Sequence, residues 1–241
     1  MWRIDKGPEP PCLADRRREV KRIEDAAGSP IKDPWSEVKE DAKDELRDAL
    51  LRDQHHLCAY CGGRLDPSTM KIEHFVPQSA DRSLILDWSN LLGACPGRYR
   101  DPTTGKTITH CDSHRTKFAP GPPPRGLLSV HPAQTDPGHH FRVNITAKGS
   151  ELGTVETLTG EAKLDLAELN LNAPRLVDNR AKIIRDLRAS LSATPEPKLP
   201  RLLRRRYKTA TTAGTDGLLP PYAPIEAEYL LRKLRQRRLD P

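Results

Sequence analysis

Four cysteines in two unequal pairs constrain this chain more than any other feature. Cys58-Ala59-Tyr60-Cys61-Gly62-Gly63 sets two thiols two residues apart, followed by glycines that let the backbone turn tightly around an ion. Cys95 and Cys111 can complete a tetrahedral four-thiolate site, the closed form that structural Zn²⁺ adopts. Fifteen residues, 96–110, separate this second pair where two to four are common. They include Gly97, Pro102 and Gly105, so the segment is expected to loop out and return to the ion. With all four positions filled by sulfur no coordination site is left for water, so such an ion would pin two distant segments together rather than catalyse. The other reading is four reduced, buried thiols. Cys12 stands alone and reads as a plain thiol.

Metal is favoured over disulfides because the expected compartment is reducing. No stretch approaches the ~18 apolar residues of a membrane span, and Met1-Trp2-Arg3-Ile4-Asp5-Lys6 has no apolar signal core. A cytoplasmic protein without membrane contact is therefore expected, and clustered cysteines there bind metal more often than they pair. With 36% apolar residues, 5% aromatics and 23 prolines, the 241-residue chain should bury a modest core with long connections, in one or two domains. A net charge of +7 and an isoelectric point near 9.2 suit a polyanionic partner, although many basic proteins have none.

The chain divides into four stretches. Residues 1–54 form a polar, helical lead-in. Within it, Asp33-Pro34 reads as an N-cap with proline at the first helical position. Trp35, Val38, Ala42, Leu46, Ala49 and Leu50 then recur at helical spacing. Residues 55–118 hold four of the five cysteines. Residues 119–136 begin with Ala119-Pro120-Gly121-Pro122-Pro123-Pro124, a proline-rich linker. Residues 137–241 should contain a small hairpin, from Phe141–Ile145 and Thr154–Leu158, and then basic helices. Leu176, Val177, Arg180, Ile183, Ile184, Leu187 and Leu191 make the first of these amphipathic. Two basic clusters follow, one at Arg201, Arg204, Arg205, Arg206 and Lys208, the other at Arg232, Lys233, Arg235, Arg237 and Arg238. They fit either nucleic acid or an acidic partner.

Between the cysteine pairs lies Lys71-Ile72-Glu73-His74-Phe75-Val76-Pro77-Gln78-Ser79, with Asn90 sixteen residues after His74. Asp112-Ser113-His114-Arg115-Thr116-Lys117 follows the last cysteine. An acid beside a histidine can hold a divalent cation while the imidazole faces a substrate. Hydrolysis of a phosphodiester needs both, a base for water and a cation for the developing charge. Each piece alone is weak, but their order is specific: Cys-x-x-Cys, Glu-His-x-x-Pro, Asn-Leu before a cysteine, then a cysteine with polar neighbours.

In that order residues 57–118 resemble the HNH nuclease family. The resemblance implies an α+β fold, a zinc-stapled ββα-metal core flanked by mainly helical N- and C-terminal segments. It implies His74 as the general base, Asn90 as the residue that orders the loop between the strands and orients the base, and Glu73 as a ligand of catalytic Mg²⁺ or Mn²⁺. Cys58, Cys61, Cys95 and Cys111 become the structural zinc ligands. The third catalytic ligand stays open. Asp112 has the register and suits a hard cation, while His114 has the residue type. On a helix the two point about 200° apart, so one ion would not take both. Arg115 and Lys117 are expected on phosphate, with a solvated helix face as the alternative.

A narrower resemblance reaches to about residue 190. Ile4-Asp5-Lys6-Gly7-Pro8-Glu9-Pro10, the interrupted second knuckle, Asp136-Pro137 to Phe141, and Leu169-Asn170-Leu171-Asn172 are similar to the HNH subunits, the PtuB family, of Septu-type and retron-associated anti-phage systems. It implies cleavage of DNA in a hetero-oligomer with an ATPase subunit (PtuA-like). Two other functions stay open, a stand-alone restriction-type nuclease and a non-catalytic zinc-stapled binding module.

Overall fold

The computed structural model describes residues 1–118 and 127–241, with the side chains of 116–118 left outside the description. The start of the expected proline-rich linker, 119–126, lies outside the described residues. Among the described residues the architecture is α+β, with helices and three small two-stranded antiparallel sheets.

Helix α1 (Pro11–Ala27) opens with proline at its first position, where the missing N–H costs nothing. It closes on Gly28 in the left-handed conformation (φ 65°). Helix α2 (Glu40–Asp53) carries Glu40 and Asp41 in its first turn, where the helix dipole favours negative charge, and buries Leu46, Ala49, Leu50 and Leu51. The helix expected from Asp33-Pro34 onward begins later. Asp33 caps only a turn, accepting from the backbone N–H of Trp35 (2.9 Å) and Ser36 (3.2 Å). Lys39 then adopts extended backbone before α2 starts. Trp35 has left the helical stripe because its ring is used elsewhere.

Strands β1 (Lys71–His74) and β2 (Leu91–Ala94) pair antiparallel, Glu73 opposite Leu92 and His74 opposite Leu91. Gln54, fully buried at the end of α2, clamps this pair. Its amide accepts from Gly93 N (2.7 Å) and donates to Gly93 O (2.9 Å) and Leu57 O (2.8 Å). Gly93 permits this approach, since a Cβ there would meet Gln54, Met70 and Leu65 at 3.1–3.2 Å. The insertion between Cys95 and Cys111 is a hairpin, β3 (Arg98–Arg100) with β4 (Thr107–Thr109). Its base depends on Gly97 (φ +62°), where a Cβ would fall 2.1 Å from the His110 carbonyl oxygen. Helix α3 (Asp112–Phe118) follows directly.

The expected second hairpin forms as β5 (Phe141–Val143) with β6 (Val155–Thr157). Helices α4 (Ala162–Glu168), α5 (Pro174–Ser192), α6 (Leu199–Thr211) and α7 (Ala223–Gln236) complete the chain. Buried Arg180 on α5 reaches Gly153 O (2.6 Å) and Leu171 O (2.7 Å), tying helix to hairpin. One apolar cluster runs from Ile4 through α1, α2 and the β1–β2 pair to Leu176. A second joins Ile145 and Leu152 to α5, α6 and α7. No helix among the described residues is long and apolar enough to cross a membrane.

Candidate functional site

The four cysteines converge. Their sulfur atoms all lie within 4.8 Å of one another, with Cys58–Cys111 at 4.0 Å and Cys61–Cys95 at 3.9 Å. A tetrahedron of Zn–S bonds near ~2.3 Å has edges of about 3.8 Å, so the donor set fits a Zn²⁺ ion. Cys58, Cys61 and Cys111 are buried and Cys95 is half-buried. Backbone N–H groups of Gly63 and Cys95 point at the sulfurs of Cys61 and Cys58, both at 3.4 Å. Burial opposes ionisation at Cys58, yet hydrogen bonds from the other three thiols hold it well below the usual thiol range. Burial, reinforced by the same neighbours, pushes Cys111 up. Four thiolates packed this closely would need a cation to balance their charge. His110, whose Nδ1 lies 3.2 Å from Cys111 Sγ, is a neighbour that cysteine spacing alone did not reveal.

Strand β1 leads from this cluster and, by its pleat, sends Lys71 and Glu73 to one side and His74 to the other. On the Glu73 side lies α3. Lys71 Nζ donates to Asp112 Oδ2 (3.0 Å) and Ser113 Oγ (2.8 Å). The Glu73 and Asp112 carboxyl groups are close enough to shift each other's ionisation in opposite directions. Burial, then Asp112, drives Glu73 well above the ordinary carboxylate range, against the pull of Arg115. Burial would raise Asp112 too, but its neighbours Glu73 and Lys71 bring it below its ordinary value. Two carboxyl groups side by side at a helix start form an oxygen donor pair of the kind that suits a hard divalent cation. Among the described residues, only the cysteines group three or more metal-binding side chains.

The structure separates the two contenders for the third position. Asp112 is beside Glu73, whereas His114 lies against Thr109, with Oγ1 to Nδ1 at 3.1 Å. Arg115 is not on the surface, as a phosphate contact would require. It is 1% exposed, and its guanidinium donates to Glu73 Oε1, His74 O and Phe75 O. The end of β1 captured this arginine because a buried carboxylate needs a charged partner and two strand-end carbonyls need donors. Lys117 has its side chain outside the described residues.

His74 is buried, at 7% exposure, with Nε2 2.9 Å from Ile85 O and Nδ1 3.3 Å from the Gln78 amide nitrogen. A carbonyl can only accept, so Nε2 carries the proton and Nδ1 the lone pair. Burial lowers the imidazole's affinity for a second proton, partly offset by the Ile85 bond. Trp35 meets the ring edge-on at 4.8 Å, which is where the residue missing from the helical stripe went. Asn90 closes the loop that carries Ile85. Its Oδ1 accepts from Val76 N (2.7 Å), and its Nδ2 donates to Val76 O (3.1 Å) and Leu84 O (3.0 Å). Gln78 and Trp35 were not singled out from sequence. Gln78 could have been, since it stands four residues after His74 in a turn.

No protein-family model matches the chain. The chain is 28% identical over 194 residues to Septu protein PtuB of Bacillus thuringiensis, a match covering 78% of this chain. The match takes in 66% of that protein, just under two thirds of its length. The cysteine cluster, the β1–β2–α3 unit and the hairpin before α5 therefore belong to a chain similar, along most of its length, to Septu protein PtuB.

Proposed function

We propose that this chain is a metal-dependent endonuclease of the HNH type that hydrolyses phosphodiester bonds of DNA. The observation that carries the reading is His74 with its tautomer set by Ile85 O, on the strand that brings Glu73 beside Asp112. Glu73 and Asp112 would hold the divalent cation, Mg²⁺ or Mn²⁺. When bound, it supplies charge stabilisation to the phosphate undergoing attack. Neutral His74 takes a proton at Nδ1 from a water as that water's oxygen bonds to phosphorus, and the opposite ester oxygen departs with the bonding pair. Gln78, whose amide donates to that same Nδ1 lone pair, gives way when the water takes its place, and Asn90 keeps the loop that carries the Ile85 carbonyl in place. Arg115 fixes the Glu73 carboxylate and balances its charge. The cysteine cluster, holding Zn²⁺, staples β2 and the start of α3 around this centre.

The similarity to a Septu protein and the motif order support a role in anti-phage defence, in the cytoplasm, beside an ATPase subunit in a hetero-oligomer. Reduced cysteines persist in that compartment. The test is cleavage of DNA and RNA by the purified chain, with and without the neighbouring ATPase, in Mg²⁺ or Mn²⁺, comparing wild type with His74→Ala. Loss of DNA cleavage in His74→Ala is expected. Equal cleavage by both would overturn the mechanism, and full activity without the ATPase would assign the chain to stand-alone nucleases.

A further inference from the structure

Helix α6 buries Leu199, Leu203 and Ala210 on one side. Lys198, at its N-cap, with Arg201, Arg205 and Lys208 fall at positions i, i+3, i+7 and i+10. They occupy an arc of about 80° on the opposite side. All four are exposed. The helix contains no acidic residue, and among the described residues its one ion pair is Arg206 with Glu226, on a different face. The four cations therefore keep their charge for something outside the chain.

Two shallow grooves flank this row and meet at Arg205. One, of about 580 Å³, is lined by Lys198, Arg201 and Arg205. The other, of about 540 Å³, continues past Lys208, Thr209 and Thr212 to Arg64. Arg64 is exposed, yet anchored by the carbonyls of His55, His56 and Leu219, so the row extends onto the segment that carries Cys58 and Cys61. Asp216 is the acid in that second groove, and it is engaged by Leu218 N (3.0 Å).

We propose that this row is a track for the sugar-phosphate backbone of duplex nucleic acid. The inference builds on the nuclease reading by naming where the duplex is held. From Lys198 to Lys208 the row runs about 15 Å, roughly four phosphate steps along one strand. The grooves beside it carry threonine hydroxyls at Thr194, Thr209 and Thr212 together with apolar side chains, Leu202 in one and Ala213, Leu218, Leu219 and Pro220 in the other. The large exposed hydrophobics among the described residues, Leu127, Leu158 and Leu164, lie elsewhere in the chain. The row itself is four exposed cations, and nucleic-acid interfaces are much more positively charged than protein interfaces.

The experiment is binding of the full chain to a duplex oligonucleotide without divalent cation, read by fluorescence anisotropy across a salt series. The triple variant Arg201→Gln, Arg205→Gln, Lys208→Gln should flatten the plot of log affinity against log salt by about 2.7 units, ~0.9 for each phosphate that is no longer neutralised. The single variants Arg201→Gln and Arg205→Gln should each flatten it by about one unit, which keeps the test available if the triple variant folds poorly. Arg235→Gln with Arg238→Gln, exposed cations beyond the row, should leave the slope unchanged. An unchanged slope in the row variants, or an equal flattening in the control pair, overturns the track. An unchanged slope together with failure to co-purify the ATPase also overturns it and gives the row to an acidic protein. Cleavage by His74→Ala reports on the nuclease reading separately and shares no readout with the salt slope.

Discussion

Asn90 holds the carbonyl of Leu84, one residue before the carbonyl that fixes the His74 proton on Nε2. A loop-closing amide thus holds the segment whose carbonyl faces His74 Nε2. Asn90→Ala should strip three hydrogen bonds from buried backbone and destabilise the fold by about 2 kcal/mol. It should also change the pH profile of cleavage, because Nδ1 and Nε2 could then exchange roles. Asn90→Asp keeps the acceptor but loses the donors to Val76 O and Leu84 O, so it should not rescue. A wild-type pH profile in Asn90→Ala would end the positioning role.

The carboxyl pair at the start of α3 makes a second prediction. Asp112→Ala should weaken activation by Mg²⁺ or Mn²⁺ by ~10-fold or more, and His114→Ala by less than about threefold. Titrating activity against cation concentration separates them. Equal effects would mean that the two residues do not divide as their geometry does.

How much of this was legible in the sequence depends on what each residue answers to. The hairpin ahead of α5 and the gathering of four cysteines follow from local spacing, which survives folding, whereas the α+β class comes from the family resemblance. Trp35 and Arg115 do not answer to spacing. Trp35 fits the helical stripe of α2, yet a turn capped by Asp33 releases it onto His74. Arg115 reads as surface charge until β1 delivers a buried carboxylate to it from 42 residues away. Asp112 and His114 could not be ranked from the chain alone, because the face of α3 that meets β1 is a tertiary fact.

Arg115 is the subject of a third prediction. Arg115→Met leaves Glu73 buried without its cation and should cost roughly 3–5 kcal/mol. Arg115→Lys should recover little, since an ammonium cannot reproduce a planar fork bonded to one carboxylate and two carbonyls. Chemical denaturation of the three proteins checks this. A lysine variant as stable as wild type would show that charge, rather than fork geometry, is what β1 needs.

The thiolate cluster should carry one zinc per chain, measured by elemental analysis. Cys58→Ser should lose most of it and unfold the β1–β2–α3 unit, because structural zinc binding is coupled to folding, with apparent energies on the order of 10 kcal/mol. Metal-free wild type with an unchanged melting curve would contradict a structural ion.

Acid should weaken the fold through His131, which is buried with its ring tilted against Phe75 at 4.2 Å between centroids. Burial, then the charge of Lys6, lowers its pKa from 6.5 to about 4. As pH falls the unfolded chain takes up this proton first. The contribution is therefore complete above pH 6.5 and is lost progressively down to about 4. It should amount to on the order of 2 kcal/mol after allowance for solvent screening. His131→Gln should flatten the fall in melting temperature across that window. An identical fall would place the acid sensitivity elsewhere.

The β3–β4 hairpin leaves and rejoins the chain at the cysteine cluster, and His110 N to Gly97 O (2.8 Å) closes its base. Its exposed tip, 102–106, is therefore uncoupled from the centre it interrupts. Doubling such a loop costs only about 0.6 kcal/mol of closure entropy. This makes the tip a site where lineages can diverge in length at little expense. For the same reason, a fluorophore or an inserted peptide can be carried there with the β1–β2–α3 unit undisturbed.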